Sequence, residues 1–175
     1  MSQSVLALPK VDAPTLDEPF LSAAVWQNIP AVDLVRADTG EPSSLPTHLH
    51  AAWSQQGIHL RFTCVDSMPL GRDYLNETPI EGEDMVGVFL DPTGERNEYM
   101  ALFVTPYGQI IDSRVENPLH NALHLETDAS WDYTGVRVRT ASTQHDWTVE
   151  IFLPFNGITP ALPSPTPDDR WVANF

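Results

Sequence analysis

The chain predicts an all-β fold: an antiparallel β-sandwich with little helix. Several short segments alternate apolar and polar residues with period two, the repeat that turns one side of a strand toward a core. Sixteen prolines against nine glycines break the 175 residues with frequent turns. No stretch holds a helical period long enough for an ordinary helix. Counting the alternating segments gives about seven strands, the pattern of a sandwich. A single domain over residues 1–175 suits the length, which is enough to bury a sizeable core.

Residues 1–19 are Pro-rich and acidic and read as an extended arm or edge strand. Phe20 to Asn28 suits one helical turn whose apolar side (Leu21, Ala24, Val25, Trp26) covers the core. After a loop at Thr39 to Pro46, Thr47 to Trp53 puts Leu49, Ala51 and Trp53 on one face and His48 and His50 on the other. Ser54 to Gly57 is a hairpin-length link. Ile58 to Asp66 then turns Ile58, Leu60, Phe62 and Cys64 inward and His59, Arg61 and Thr63 outward. Ser67 to Gly82 is a polar loop of a length that is more often functional than idle.

Glu83 to Pro92 is the strand around which the rest is organised. Val86, Val88 and Leu90 share one face; Met85, Gly87 and Phe89 share the other. Being apolar on both, it is expected in the middle of a sheet and covered on both sides. Asp91-Pro92-Thr93-Gly94 is a turn. Glu98 to Thr105 is a second two-faced strand, closed by Pro106-Tyr107-Gly108 and completed as a hairpin by Gln109 to Val115. Pairing it with the central strand gives a shallow apolar floor at Ala101 and Phe103. Glu116 to Asp132 is irregular. Gly135 to Ala141 and Asp146 to Phe155 alternate again, and residues 159–170 are Pro-rich. Arg170 to Phe175 begins one more strand, so the domain is expected to be incomplete at its C-terminal end.

The formal charge of −15 argues against nucleic acid and anionic membrane as partners, since both call for basic patches. It fits a neutral ligand, a cation or a solvated acidic surface. Hydrophobic content of 42% and charged content of 19% are those of a globule, not a disordered chain. The lone Cys64 excludes an internal disulfide. No stretch approaches the roughly 18 apolar residues of a membrane span, so no membrane insertion is expected, and no export signal is visible.

Candidate site residues follow from strand ends and polar settings. Asp66, Glu83 and Asp84 sit where strands meet one rim, as hydroxyl acceptors or calcium ligands on one reading and as turn caps on the other. Gly87 reads as a packing accommodation or as a point of close ligand approach. Arg137, Arg139 and Arg114 face outward from the hydrophobic pattern; a cross-strand charge ladder with Glu150 accounts for them, and Arg114, nearest the irregular rim, is the one best placed to meet a ligand. Trp26, Trp53, Trp147 and Trp171 fall on apolar faces and read as core, whereas Trp131 lies among polar residues. His48 with His50, and His120 with His124, share faces or spacing that zinc can use, without an accompanying acid set. No nucleophile–base pair, phosphate loop or opposed carboxylate pair can be argued, so the chain reads as a binding domain and not an enzyme.

Four segments together resemble the carbohydrate-binding module family 9-like domains, within the wider DOMON-like β-sandwich group. They are Ala52-Trp53-Ser54 with Gly57-Ile58-His59-Leu60 up to Val65-Asp66; Glu83 through Asp91-Pro92; Tyr99 through Phe103-Val104-Thr105-Pro106-Tyr107-Gly108; and Trp147 through Pro154-Phe155, with Trp171 to Phe175 as a weaker fifth. The resemblance implies a jelly-roll-like sandwich whose concave sheet holds a glycan between aromatic side chains, with polar groups taking the hydroxyls. It implies structural calcium in some members. The sequence departs from the family's pattern before Glu83, where Pro79-Ile80-Glu81-Gly82 holds no aromatic residue, and at Gly87, where a member has an acidic acceptor. Tyr74 or Trp131 could supply an aromatic wall instead. The ligand-binding set is therefore Asp66, Tyr74, Glu83, Asp84, Phe103, Arg114 and Trp131. Glycan binding is the expected function, alone or beside a glycan-active enzyme. The alternatives are a haem-binding electron-transfer subunit of the DOMON-like group, with Met68 as the axial Met, and an interaction domain with no small ligand. Family members are often exported, which is compatible with an extracellular or periplasmic protein and leaves the compartment open.

Overall fold

The computed structural model describes residues 5–12, 14–15, 17–66, 84–119, 124–158 and 165–175. In chain order their elements are α1 (Ala23–Trp26), β1 (Val32–Asp33), β2 (Thr47–Trp53), β3 (Gly57–Val65), β4 (Val86–Asp91), β5 (Glu98–Val104), β6 (Ile110–Glu116), β7 (Glu126–Asp128), β8 (Arg137–Ser142), β9 (Asp146–Pro154), α2 (Phe155–Ile158) and β10 (Val172–Asn174). Two five-stranded antiparallel sheets face each other, in the orders β1-β2-β3-β9-β8 and β10-β4-β5-β6-β7. The expected all-β sandwich is what forms.

Alternation in β2, β3 and β9 builds the first sheet. β3 pairs with β9 along its whole length, from Gly57 opposite Pro154 to Val65 opposite Asp146. This register lines up Leu49, Phe62 and Val149 in one inward row and Ala51, Leu60 and Ile151 in the next. The second sheet contributes Val86 opposite Val104, Val88 opposite Leu102 and Leu90 opposite Met100. These side chains form one continuous buried cluster between the sheets. Each fully buried Leu, Ile, Val or Phe contributes roughly 1.5–3 kcal/mol, so the inter-sheet rows are the main source of stability.

The outward side of the first sheet differs from expectation. His59 alternates outward, yet it is 2% exposed. The reason is the arm before β1, which lies across that face. Leu21, Trp26 and Ile29 pack there on Ala52 as a second buried cluster. The predicted helical turn exists as α1, N-capped by Ser22, but it covers this outer face and not the inter-sheet core. The ring of His50 binds the Ile29 carbonyl at 2.8 Å. Pro9 and Val11 bond the backbone of Trp53 at 3.0 and 2.8 Å, closing the edge of β2. Trp53 is half-buried beneath Lys10, whose ammonium lies 5.0 Å from the ring, and is not core.

β4 is interior to its sheet, between β10 and β5, as its two apolar faces predict. Its outer side is partly covered: Ala101, Ile111 and Val115 of that face are buried. Val86, Val88 and Leu90 are buried, while Gly87 and Phe89 are only half-buried on the opposite face. The charge ladder is present on the first sheet without Arg114. Arg139 donates to Glu150 at 2.6 Å, and Arg61 approaches the same carboxylate at 3.9 Å. Arg114 belongs to β6, in the other sheet. The short elements β1, β7 and α2 have no counterpart in the sequence reading.

Candidate functional site

The side of the second sheet that faces away from the core is set by register. Gly87 stands opposite Phe103, and Phe89 opposite Ala101. Across the β5–β6 pair, Ala101 stands opposite Ser113 and Phe103 opposite Ile111. Phe89 meets Phe103 edge to face, with centroids 5.5 Å apart and planes at 86°. It meets Tyr99 at 6.1 Å and 63°. Phe103 and Tyr99 of β5 thus flank Phe89 of β4 in a zigzag, all half-buried. Such pairs are favoured because the ring quadrupoles attract edge to face.

The small residues make this arrangement possible. A Cβ at Gly87 would meet Phe103 ring carbons at 3.2 and 3.3 Å and a Phe89 carbon at 3.5 Å. Beyond β4, Asn174 takes the position beside Phe89. Apart from Tyr99, the strand residues of this face carry one ionisable group, Asp91, and its carboxylate is used internally. It accepts from the Thr93, Gly94 and Arg96 amides at 2.8, 2.9 and 2.8 Å. Burial pushes this carboxyl up, but the hydrogen bonds from Thr93, Arg96 and Gly94 outweigh it and hold the pKa below the usual aspartate value.

At the start of β4, at the end of the inter-sheet core, lies a cavity of about 230 Å³, lined by Asp66, Asp84, Cys64, Phe62, Gly87 and Phe175 among others. The predicted convergence of Asp66 and Asp84 is therefore present. Burial pushes the Cys64 thiol up to about 11, a bond from Thr47 opposes this, and the two aspartates add to it. Such a thiol is inert as a nucleophile.

The remaining candidates lie elsewhere. Phe103 is on the outer face. Arg114 is on the inward-facing side, since it stands opposite the buried Met100; its guanidinium is paired with Glu98 and lies 4.0 Å from Glu116. Trp131 is half-buried, 5.6 Å from Tyr133, and packs against the inter-sheet core. Tyr133 is fixed there by its amide, which donates to Asp112 at 2.6 Å, and its hydroxyl, which donates to Pro154 at 3.2 Å. Tyr74, Glu83 and Met68 lie outside the described residues, as does His120. Among the described residues no three His, Cys, Asp or Glu side chains gather as a metal site, and no helix is long and apolar enough to cross a membrane. The sequence reading missed Phe89 and Tyr99; the large–small pairing of Phe89 with Ala101 was the available signal.

Comparison with solved structures bears on this architecture. The chain shares the fold of a carbohydrate-binding module family 9 from Caldicellulosiruptor kristjanssonii in complex with cellotriose, with a TM-score of 0.58 at 12% identity over 95% of this chain and 82% of that one. The fold is that of a CBM9 module. The glucose complex of a CBM9 from the same organism gives a TM-score of 0.54 at 12% identity over 94% and 83% of the two chains. A structure from Bacteroides uniformis matches at a TM-score of 0.54 and 15% identity over 87% and 73%. No family model matches the sequence, and no curated protein does. The likeness is one of fold, at 12–15% sequence identity.

Proposed function

We propose that this protein is a non-catalytic glycan-binding domain whose ligand lies on the outer face of the second sheet and its rim. The observation that carries the reading is the half-buried Phe103–Phe89–Tyr99 stripe on a fold shared with CBM9 structures holding cellotriose and glucose. Aromatic faces take the C–H side of a pyranose, and the flanking Ser113 and Asn174 supply polar partners for hydroxyls. Asp66 and Asp84 at the rim offer further acceptors. The described strand residues of this face pair no nucleophile with a base, and the reading is one of binding.

Calorimetric titration with glucose, cellotriose and a broad panel of neutral oligosaccharides tests this. Measurable binding is expected for at least one glycan, and Phe103→Ala should weaken it about tenfold or more while a cooperative melting transition remains. Flat titrations across the whole panel would remove the proposal.

A further inference from the structure

The arm before β1 crosses the outer face of the first sheet and comes back. It starts beside Trp53, where Pro9 and Val11 share backbone bonds with that residue. It reaches as far as β8, where the Arg139 guanidinium lies 4.6 Å from the ring of Phe20. It returns through α1 to β1, which pairs with β2 at Leu49 and His48. Between these anchors it buries Pro19, Leu21, Trp26 and Ile29. The last three form, with Ala52, a cluster that shares no residue with the inter-sheet core. Opening the arm therefore leaves the rows between the sheets in place. Units packed apart in this way can open separately.

Three histidines of this face meet the arm and β1, and they differ in what a second ring proton does. His48 Nδ1 lies 2.6 Å from the Asp33 carboxylate, a contact that the proton strengthens. His50 Nδ1 donates to the Ile29 carbonyl at 2.8 Å, a bond that the charged ring keeps. His59 is the exception. It is almost wholly buried under the arm, with its ring 5.0 Å from that of Phe152. Ser54 Oγ, which accepts from the Gln56 amide, donates to Nε2 at 2.9 Å, and the Pro19 carbonyl takes the other N–H. A second proton on Nε2 puts a charge into this buried site. It also leaves the buried Ser54 hydroxyl without its acceptor. Lifting the arm hydrates the ring without breaking the β2–β3–β9 ladder.

Register fixes the charged groups around the ring. His50, Arg61, Glu150 and Arg139 form the next row across β2, β3, β9 and β8, and Arg137 stands opposite Phe152. Glu150 is engaged by Arg139 at 2.6 Å. From the arm come Lys10, over the Trp53 ring, and the exposed Asp12, Asp17 and Glu18. Burial is the largest influence on His59 and lowers its pKa to about 4; the Pro19 carbonyl pushes the other way. A hydrated His titrates near 6.5. The closed form thus binds the proton less tightly than the open form. Closure is fully favoured above pH ~6.5, and the closed-to-open ratio falls as pH drops to ~4, by about 300-fold in all.

We propose that the arm is an acid-released strap, with His59 as its latch, that opens while the sandwich beneath stays folded. The His48–Asp33 contact holds β1 as the latch opens, so the strap stays tethered.

Hydrogen exchange followed by mass spectrometry tests this on the full chain at pH 7 and pH 4.5, with rates corrected for intrinsic exchange. Peptides over residues 21–29 report the strap through the Trp26, Gln27 and Ile29 amides, which bond within it. Peptides over residues 58–65 report β3. The strap should be less protected than β3 at both pH values. Its protection should fall about fiftyfold from pH 7 to pH 4.5. His59→Gln, which keeps a donor and an acceptor in place of the ring, should abolish that fall. Val104→Ala, in the inter-sheet core, should speed exchange in β3 and leave the strap unchanged. Strap exchange that matches β3 and rises with it in Val104→Ala overturns the proposal, because the strap then opens only when the whole domain unfolds. Equal wild-type strap protection at the two pH values overturns it as well. A fall that persists in His59→Gln removes His59 as the latch and assigns the effect to the strap carboxylates. If His59→Gln does not fold, the wild type and Val104→Ala decide.

Discussion

The imidazole of His59 and the hydroxyl of Ser54 form a buried pair, Nε2 to Oγ at 2.9 Å, with both residues almost wholly removed from solvent. Ser54 also accepts from the Gln56 amide, so its own proton is directed to the ring. The carbonyl of Pro19, in the arm, bonds the ring as well. His59 is thus neutral and ties the arm to the first sheet.

The acid sensitivity of the fold follows. Burial depresses the pKa of His59 to about 4, against an opposing push from the Pro19 bond. In the unfolded chain the ring titrates near 6.5. Between these values the unfolded state binds the proton and the folded state does not. Stability from this group is therefore full above pH ~6.5 and is lost as pH falls toward ~4, by about 2–3 kcal/mol. Urea melts at pH 7 and pH 4.5 should show the drop, and His59→Gln should reduce it. A wild-type midpoint unchanged over that range would show that the ring is not held neutral.

Asp91 is the second stability determinant. It is 3% exposed and organises the turn after β4 with four hydrogen bonds, three from amides and one from the Thr93 hydroxyl at 2.7 Å. Replacement by Ala removes the acceptor that holds the three amides and the hydroxyl of this exposed turn and should cost about 1–2 kcal/mol. Asp91→Asn keeps one oxygen and should cost about half as much. Chemical denaturation of the two variants ranks them; equal losses would mean that the charge, and not the bonds, matters.

The strands with the cleanest alternation were readable before the structure because a half-buried strand records its environment every second residue. Thr47–Trp53 is the clearest case, matching β2 end to end. What alternation cannot record is what lies over the other face. Phe89 and His59 show the two opposite errors. Phe89 was assigned to a covered side and is half-buried there, whereas His59 was assigned to solvent and lies under the arm. Arg114 was misplaced because Ile110 and Ile111 are both apolar, so the inward side of β6 is fixed only by its pairing with Met100. The rim pair Asp66 and Asp84 was legible from strand ends. The Phe103–Phe89–Tyr99 zigzag was not, since it exists only once the β4–β5 register is known.

Two glycines should respond very differently to substitution. At Gly157 an added Cβ would lie 2.1 Å from the Thr134 carbonyl oxygen and 2.7 Å from the Tyr133 ring. Neither the backbone oxygen nor the buried ring has room to give way, so Gly157→Ala should cost about 3 kcal/mol or more. At Gly94, φ is +72° and nothing lies within 4 Å of the added carbon. Gly94→Asn, a residue that tolerates this backbone region, should cost under about 1 kcal/mol. Thermal melts of both variants check the contrast.

The boundary of the candidate site yields the last prediction. Arg114 and Phe103 are both on the β5–β6 hairpin, but on opposite sides of it. The Arg114 guanidinium is bound to Glu98 and stands on the side turned away from the aromatic stripe. Arg114→Ala removes an exposed ion pair, worth about 0.2–1 kcal/mol of stability, and should leave glycan affinity within about twofold of wild type. Phe103→Ala removes the half-buried ring that crosses Gly87 and should lower affinity about tenfold or more, at a cost of about 1–3 kcal/mol of stability. Calorimetry on the two variants with the same oligosaccharide separates the alternatives. A large loss for Arg114→Ala with none for Phe103→Ala would move the site to the other side of the sheet, toward the acidic end at Glu98 and Glu116.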